Sequence, residues 1–358
     1  MSSMKDVAKL AGVSVSTVSH VLNKTRKVNP GTQGKVLQAV KELKYNINPV
    51  ARNLRKGHSK LIGIVVSNLA NSFFMDIALS IEKILKTEGY HLIFINSNED
   101  KDIERENIEN LVMQNVDGLI IAPVDQDCSY MESIMGTGCY CVFFDRLPNG
   151  YKRDCIMSTN YEGAFKATEA LISNGHKRIG FIGSHFDGTM KERIEGFKGA
   201  LKKHKIPIDT DLLTTGNGGS QHLNDLKNGD GNRLARYLVE EKKVTAILCG
   251  NELAAVGAVS FLQDNNYSLP DDVAIITFDN AFWLSMTNPA ITAVNQDREA
   301  IGKTAAKVLL DRINGVETPF NEYRIPTNLI IRSSSKQSNL HIQEAKTHST
   351  ERLLKKIH

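Results

Sequence analysis

From residue 61 onward the chain keeps returning to short, predominantly apolar runs. They fall at 61–66, 91–95, 118–122 and 140–144, then at 155–157, 178–182, 246–249, 273–278, 291–294 and 323–329. A strand wetted on one face alternates polar and apolar residues, whereas a run apolar throughout must be covered on both faces. The segments between the runs, among them 74–87, 161–174 and 252–265, repeat their apolar residues at helical period. Strand, covering helix and parallel strand is therefore the repeating unit. Two sets of such units predict an α/β body of two lobes, each a doubly wound parallel sheet. The body is placed at 61–332, with one lobe at about 61–159 plus 291–320 and the other at about 160–290 plus 321–332.

In sheets of this kind ligands sit just outside the carboxyl ends of the strands. The residues at those exits are Asn71 with Phe73 and Phe74, Asp145 with Arg146, and Asp187 with Thr189 and Arg193. Asn251, Asp279 with Asn280, and Gln296 complete the set. Aromatic rings stack on the apolar faces of a sugar, while carboxylates, guanidiniums and amides bond its hydroxyls. Trp283 offers a further stacking face. Each residue alone has a plainer role: Asp145 or Asp279 can cap a helix, Arg193 can be a solvated charge, and Phe73 can be core. Their joint placement at strand exits in both lobes points to a small polar ligand.

The first sixty residues are of another kind. They carry twelve Lys and Arg against two acids, a net charge of +10, while the rest of the chain sums to −6. A compact cationic segment on a mildly acidic body is suited to a polyanion. Residues 4–12 read as a short helix stopped by Gly12, and Ser14 caps a second helix over 15–23. The tight turn between them, with small Ala8 at the crossing, is helix-turn-helix spacing. A third helix over about 32–45 brings Val36, Val40 and Leu43 to close a small core. The outward face of the second helix holds Val15, Ser16, Thr17, Ser19, His20 and Asn23. These short donors, acceptors and methyls are what base edges and phosphates in a major groove require. Next comes Asn48-Pro-Val-Ala-Arg-Asn-Leu-Arg-Lys-Gly57, with a cap, an N1 proline and a terminal glycine. So short a helix is marginal in water and orders against a partner. Leu54 among Arg52, Arg55 and Lys56 has the character of a minor-groove wedge. Ser14, Thr25, Thr32, Asn48 and Ala51 complete the DNA-facing set. The head is thus all-α, 1–47, with a hinge helix and linker at 48–60.

Other classes fit less well. No apolar run reaches the length of a membrane helix and no signal-peptide core is visible, so a cytoplasmic protein is expected. Five cysteines without a CxxC pair suit reduced thiols; Cys139 and Cys141 lack neighbouring ligands at zinc spacing, and no metal or cofactor is expected. GxGxxG and GxxxxGK[ST] follow none of the predicted strands and no Ser-His-Asp set stands out, which argues against an enzyme. A free transport protein would share the body but not the head. The tail, 333–358, is polar, its leucines too sparse for a heptad, and is expected to be disordered.

The runs Met4-Lys-Asp-Val-Ala-Lys-Leu-Ala-Gly-Val-Ser, Ser16-Thr-Val-Ser-His-Val-Leu-Asn and Asn48-Pro-Val-Ala-Arg-Asn-Leu resemble the head and hinge of the lactose/galactose repressor (LacI/GalR) family. Gly175-His-Lys-Arg-Ile-Gly-Phe-Ile-Gly183, Asn251-Glu-Leu-Ala-Ala-Val-Gly257 and Ile276-Thr-Phe-Asp-Asn280 resemble phrases of the periplasmic-binding-protein-like body of that family. The resemblance implies that Val15, Ser16 and His20 read bases, that Leu54 intercalates through a paired hinge helix, and that a homodimer binds a palindromic operator. It also implies that Asn71, Phe73, Phe74, Asp145, Arg146, Arg193, Asn251, Asp279 and Gln296 contact ligand as in ribose-binding relatives. The alternative effectors within the family are a phosphocarrier protein and a purine-type corepressor. Three departures stand out: Gln33-Gly34 in the third helix, the long Gly- and Asn-rich stretch within 214–233, and Glu252 where Asp is more usual. If the head neutralises phosphates, DNA binding by the full chain should weaken steeply as salt rises; a flat salt response in filter binding would remove the polyanion reading.

Overall fold

The computed structural model describes residues 3–23, 26–45, 58–135, 138–184, 188–216 and 229–336. The chain forms two compact units, one ending at Ser59 and one beginning at Lys60.

In the first unit three helices enclose a small core. Helix α1 is Met4–Ala11, α2 is Val15–Asn23 and α3 is Pro30–Glu42. Val7, Ala8, Ala11, Val18, Val21, Val36 and Ala39 are buried against one another. A capping box starts α1: Asp6 N–H donates to Ser3 Oγ while Ser3 N–H donates to Asp6 Oδ2. Gly12 ends it at φ 65°, a left-handed position where a side chain would be strained. Helix α3 begins two residues before the sequence pattern suggested, because Asn29 Oδ1 accepts from Gly31 N–H and Pro30 needs no partner for its nitrogen.

The second unit holds two six-stranded sheets. The first lobe contributes β1 (Leu61–Val66), α4 (Ser72–Thr87), β2 (His91–Asn96), α5 (Lys101–Met113), β3 (Gly118–Ile121), β4 (Tyr140–Phe144) and β5 (Asp154–Ser158). The second contributes α6 (Asn160–Ser173), β6 (Ile179–Gly183), α7 (Gly188–Lys203), β7 (Leu213–Thr215), α8 (Asp230–Arg236), β8 (Ala246–Cys249), α9 (Glu252–Asp264), β9 (Ala274–Phe278) and β10 (Thr292–Gln296). Helix α10 (Arg298–Ile313) and strands β11 (Glu322–Ile325) and β12 (Thr327–Ile330) follow. The sheet orders are β11-β5-β4-β3-β1-β2 and β12-β10-β9-β8-β6-β7. Alternate residues of the strands feed opposite faces: Ile62, Ile64 and Val66 pack under α4 and α10, while Val65, Leu119 and Ile121 pack on the other side. Covered on both faces, the strands have no use for polar alternation.

The lobe boundaries differ from those the runs suggested. Strand β10 pairs with β9 in the second sheet rather than joining the first lobe. Strand β11 joins the first sheet beside β5 rather than the second lobe, while helix α10 lies in the first lobe as expected, with Ile301, Ala305, Ala306 and Leu309 in its core. The run 323–329 is two strands, because Pro326 has no N–H for a ladder and the chain changes sheet there. The chain thus crosses between lobes near Thr159, Asp297 and Pro326. The start of the tail is also ordered. Ser334 Oγ donates to the Ile275 carbonyl at 2.7 Å and accepts from Thr292 N–H at 2.9 Å, and Ser334 and Ser335 are buried. Residues 337–358 lie outside the described residues. Among the described residues no helix is long and apolar enough to cross a membrane.

One ion pair locks the last helix onto the first sheet. Asp154 is fully buried; its Oδ2 accepts from Arg312 Nε at 2.8 Å and its Oδ1 from Asn321 N–H at 3.0 Å. Arg312 also donates to the Thr318 carbonyl at 2.7 Å, so the pair pins the loop leading to β11. Asp154→Ala should cost about 3 kcal/mol, since it removes the buried acceptor of both Arg312 Nε and Asn321 N–H. The urea midpoint of the full chain is the measurement, and an unchanged midpoint would show the pair to be dispensable.

Candidate ligand cavity and DNA-reading helix

Helix α2 turns Val18 and Val21 into the core of the head and leaves Val15 and Ser16 exposed. Thr17, Ser19, His20 and Asn23 are half-buried on its flanks. Ser14 Oγ accepts from Thr17 N–H at 3.1 Å and bonds the Ser16 and Thr17 hydroxyls at 2.7 and 2.8 Å. Asn23 Nδ2 donates to Ser19 Oγ at 3.1 Å, so the last turn of the helix is stiffened from within. The exposed face of the helix thus carries an apolar side chain beside hydroxyls. Thr32 is half-buried in the first turn of α3. Thr25, Asn48, Ala51, Arg52, Leu54, Arg55 and Lys56 lie outside the described residues.

The second unit encloses a cavity of about 270 Å³ between its lobes, at the carboxyl ends of both sheets. Asn71, Phe73, Phe74, Asp145 and Arg146 reach it from the first lobe, and Thr189, Arg193, Asn251, Asp279 and Gln296 from the second. Trp283, chosen from sequence as a stacking face, is not among the lining residues; its indole Nε1 donates to Glu252 Oε1 at 3.0 Å. Asn68, Glu99, Val124, Ser184, Met190 and Leu253 line the cavity without having been singled out. Glu99, Val124 and Ser184 follow β2, β3 and β6, so the strand-exit rule applied to every strand would have found them.

Asp145 follows β4 and Asp279 follows β9, and both stand at left-handed φ, 65° and 69°. Asp tolerates that conformation better than most side chains do, and there it swings its carboxylate off the strand end into the gap. Arg193, buried on α7, donates from Nε to Asn160 Oδ1 at 2.9 Å and from Nη1 to the Gly250 carbonyl at 2.6 Å. Its guanidinium lies over Phe278, 4.1 Å from the ring centroid. Burial lowers its pKa, while Asp279 and Asp145 favour its charge. Burial raises the Asp145 carboxyl, opposed by Arg146 and Arg193. Gln296 Nε2 donates to Asp279 Oδ1 at 2.6 Å, and Gln296 Oε1 is a buried acceptor without a protein partner. Phe73 and Phe74 meet edge to face, 5.3 Å between centroids.

Three of these residues have protein duties. Asn71 Oδ1 accepts from Phe73 N–H and Asn251 Oδ1 from Ala254 N–H, so each caps a helix at the cavity wall. Arg146 grips Glu99 with both terminal nitrogens, at 3.0 and 2.8 Å, and also bonds the Pro123 carbonyl and Ser67 Oγ. Its Nε also lies 3.8 Å from Asp145 Oδ2. Arg146 therefore shapes the wall and offsets the charge of Asp145.

Residues 3–48 match the bacterial regulatory proteins of the lacI family, and residues 168–335 match a periplasmic binding protein-like domain. The HTH-type transcriptional repressor PurR of Vibrio parahaemolyticus is 34% identical over 341 residues, which is 95% of this chain and all of that protein. The chain belongs to the lacI family. Its members are DNA-binding regulators rather than enzymes, and the head and two-lobed body fit that role. Among solved structures, a complex of the transcriptional regulator CelR with cellobiose is 27% identical with a TM-score of 0.69, covering 93% of this chain and all of that one. A LacI family regulator from Enterococcus faecium with bound ribose is also 27% identical, with a TM-score of 0.68 and coverage of 77% and 98%.

Behind the cavity wall, Glu104 is fully buried on α5 and accepts from Val124 N–H at 2.6 Å and Asp125 N–H at 3.3 Å. Burial pushes its carboxyl up from 4.5 to about 7, although those donors and Arg146 favour the ionised form. An acid raised on folding leaves the native chain holding more protons, so stability should fall as pH rises from 4.5 to about 7. Glu104→Gln should remove roughly 2–3 kcal/mol of that dependence. Urea midpoints across this range test it, and an unaltered slope would assign the titration elsewhere.

Proposed function

We propose that this lacI-family regulator is a transcriptional repressor whose hold on a palindromic operator is controlled by a small neutral sugar, ribose or a close relative, bound between the lobes. One observation carries the effector class. Two largely buried carboxylates, one from each lobe at equivalent strand ends, share a cavity with one buried guanidinium and an unpartnered amide oxygen. That lining is rich in acceptors, and a polyol is a ligand rich in donors around a compact ring. Each hydroxyl can donate to a carboxylate while accepting from Arg193, and such charge-assisted bonds are the strong ones.

The PurR relatives favour a purine-type corepressor instead. A flat base gains most where aromatic faces flank it. Among the described lining residues the aromatics are Phe73 and Phe74, adjacent on one helix and steeply inclined to each other, with no ring facing them from the other lobe. The likeness to the ribose-bound and cellobiose-bound regulators supports the sugar.

In the mechanism we infer, a ligand bonded to Asp145 and Asp279 at once binds the closed arrangement of the lobes better than the open one. Thr189 Oγ1 already donates across the gap to the Asp145 carbonyl. Only such differential affinity moves a conformational equilibrium, and a shift from 1:99 to 99:1 needs roughly 5.5 kcal/mol. Closure separates the paired hinges so that Leu54 leaves the minor groove. The homodimer belongs to this reading, since two α2 helices on a two-fold axis read two half-sites of a palindrome.

D-ribose at hundredfold excess over its Kd should raise the melting temperature of the full chain by roughly 5 °C or more and weaken operator binding. Arg193→Ala should cost about two orders of magnitude in ribose affinity while leaving operator binding intact. A purine base that produces the shift where pentoses and hexoses do not would replace the sugar.

A further inference from the structure

Ser72 is the first residue of α4 and Glu252 the first of α9, helices of opposite lobes. Each sits between two residues that line the cavity, Asn71 and Phe73 on one side, Asn251 and Leu253 on the other. The two do not line it themselves. They bond each other across the gap, Ser72 Oγ donating to Glu252 Oε2 at 2.7 Å.

Several features mark this contact as more than incidental packing. The Glu252 side chain leaves the capping of its own helix to Asn251. It is buried with both oxygens engaged, Oε2 by Ser72 and Oε1 by Trp283. Two helix amino-termini converge on it, and their dipoles favour a negative charge there. Arg298, the first residue after the chain crosses back into the first lobe, reaches Ser72 Oγ at 3.4 Å and Asp76 at 2.5 Å, holding the hydroxyl from behind. On the cavity side, Glu252 N–H donates to Asp279 Oδ2 at 3.4 Å. A continuous path therefore runs from a carboxylate on the cavity wall, through the backbone and side chain of Glu252, to a hydroxyl of the other lobe.

We propose that Glu252 is a positioning residue that couples occupancy of the cavity to closure of the lobes through its bond to Ser72. The inference rests on the cavity being the effector site. A ligand that bonds Asp279 fixes the end of β9 against the start of α9. The Glu252 carboxylate is then held where Ser72 meets it, and the first turns of α4 and α9 are pinned over the ligand. Trp283, the single tryptophan of the chain, hangs on the same carboxylate and reports its state.

The test uses the full chain with D-ribose as probe and the variants Ser72→Ala, Glu252→Ala and their double. Each single change should weaken ribose binding about tenfold, and the double should lose little more than either alone, because both remove one bond. In wild type ribose should alter Trp283 emission. In Ser72→Ala that response should be lost even though the indole keeps its own partner, which a merely structural role for Ser72 would not bring about. Retained operator binding shows that the variants fold, and Ser72→Ala carries the test if Glu252→Ala does not. A Ser72→Ala chain that binds ribose and responds like wild type overturns the coupling, as do penalties that multiply in the double. If wild type binds no ribose the sugar reading falls, and the contact is then judged in the ligand-free chain by acrylamide quenching of Trp283: faster quenching in Ser72→Ala supports it, equal quenching overturns it.

Discussion

The body of this protein is organised around one buried guanidinium set between two carboxylates from different lobes. Arg193 is costly to bury and needs partners. Its bonds to Asn160 and the Gly250 carbonyl use part of its donor capacity, and Asp145 and Asp279 supply the opposing charge. Because those aspartates belong to different sheets, the electrostatics of one side chain depend on how the lobes sit together. A gap whose opposing charges come from both walls is a natural place for a ligand to act on conformation.

The two sheets repeat one plan. Their orders, β11-β5-β4-β3-β1-β2 and β12-β10-β9-β8-β6-β7, correspond strand for strand. Asp145 after β4 and Asp279 after β9 are therefore the same position twice, each at left-handed φ and each aimed into the shared gap. The edges differ in direction: β11 pairs parallel with β5 and β12 antiparallel with β10, and the break at Pro326 gives these neighbouring strands to different sheets. Three crossings lying side by side make a joint. Near it Thr327 N–H donates to Thr159 Oγ1 at 2.9 Å, and Arg324 of the first sheet grips Glu192 of the second lobe at 2.6 and 2.7 Å.

Much of the site was legible because it obeys a local rule. Ligand-facing residues of a doubly wound sheet follow strand ends, and strand ends can be read from where an apolar run stops, so Asn71, Asp145, Asn251, Asp279 and Gln296 could be named in advance. The rule speaks of position and not of duty. Arg146 was legible as a wall residue, but its commitment to Glu99, Pro123 and Ser67 depends on a turn and a loop brought together from elsewhere in the chain. Trp283 was misplaced for a related reason: four residues past the lining carboxylate of Asp279, it turns its ring onto the packing of its own lobe.

Sequence alone determined the cationic three-helix head, the parallel strands and the residues at their exits, because these follow from charge, caps and the period of apolar residues along a few consecutive positions. Only the tertiary structure decided which lobe receives β10 and β11, that the first residues of the tail enter the core, and that Ser72 finds Glu252. Those are contacts between segments tens to hundreds of residues apart. A strand apolar on both faces can be covered equally well in either sheet, and its pattern does not record which neighbour it meets.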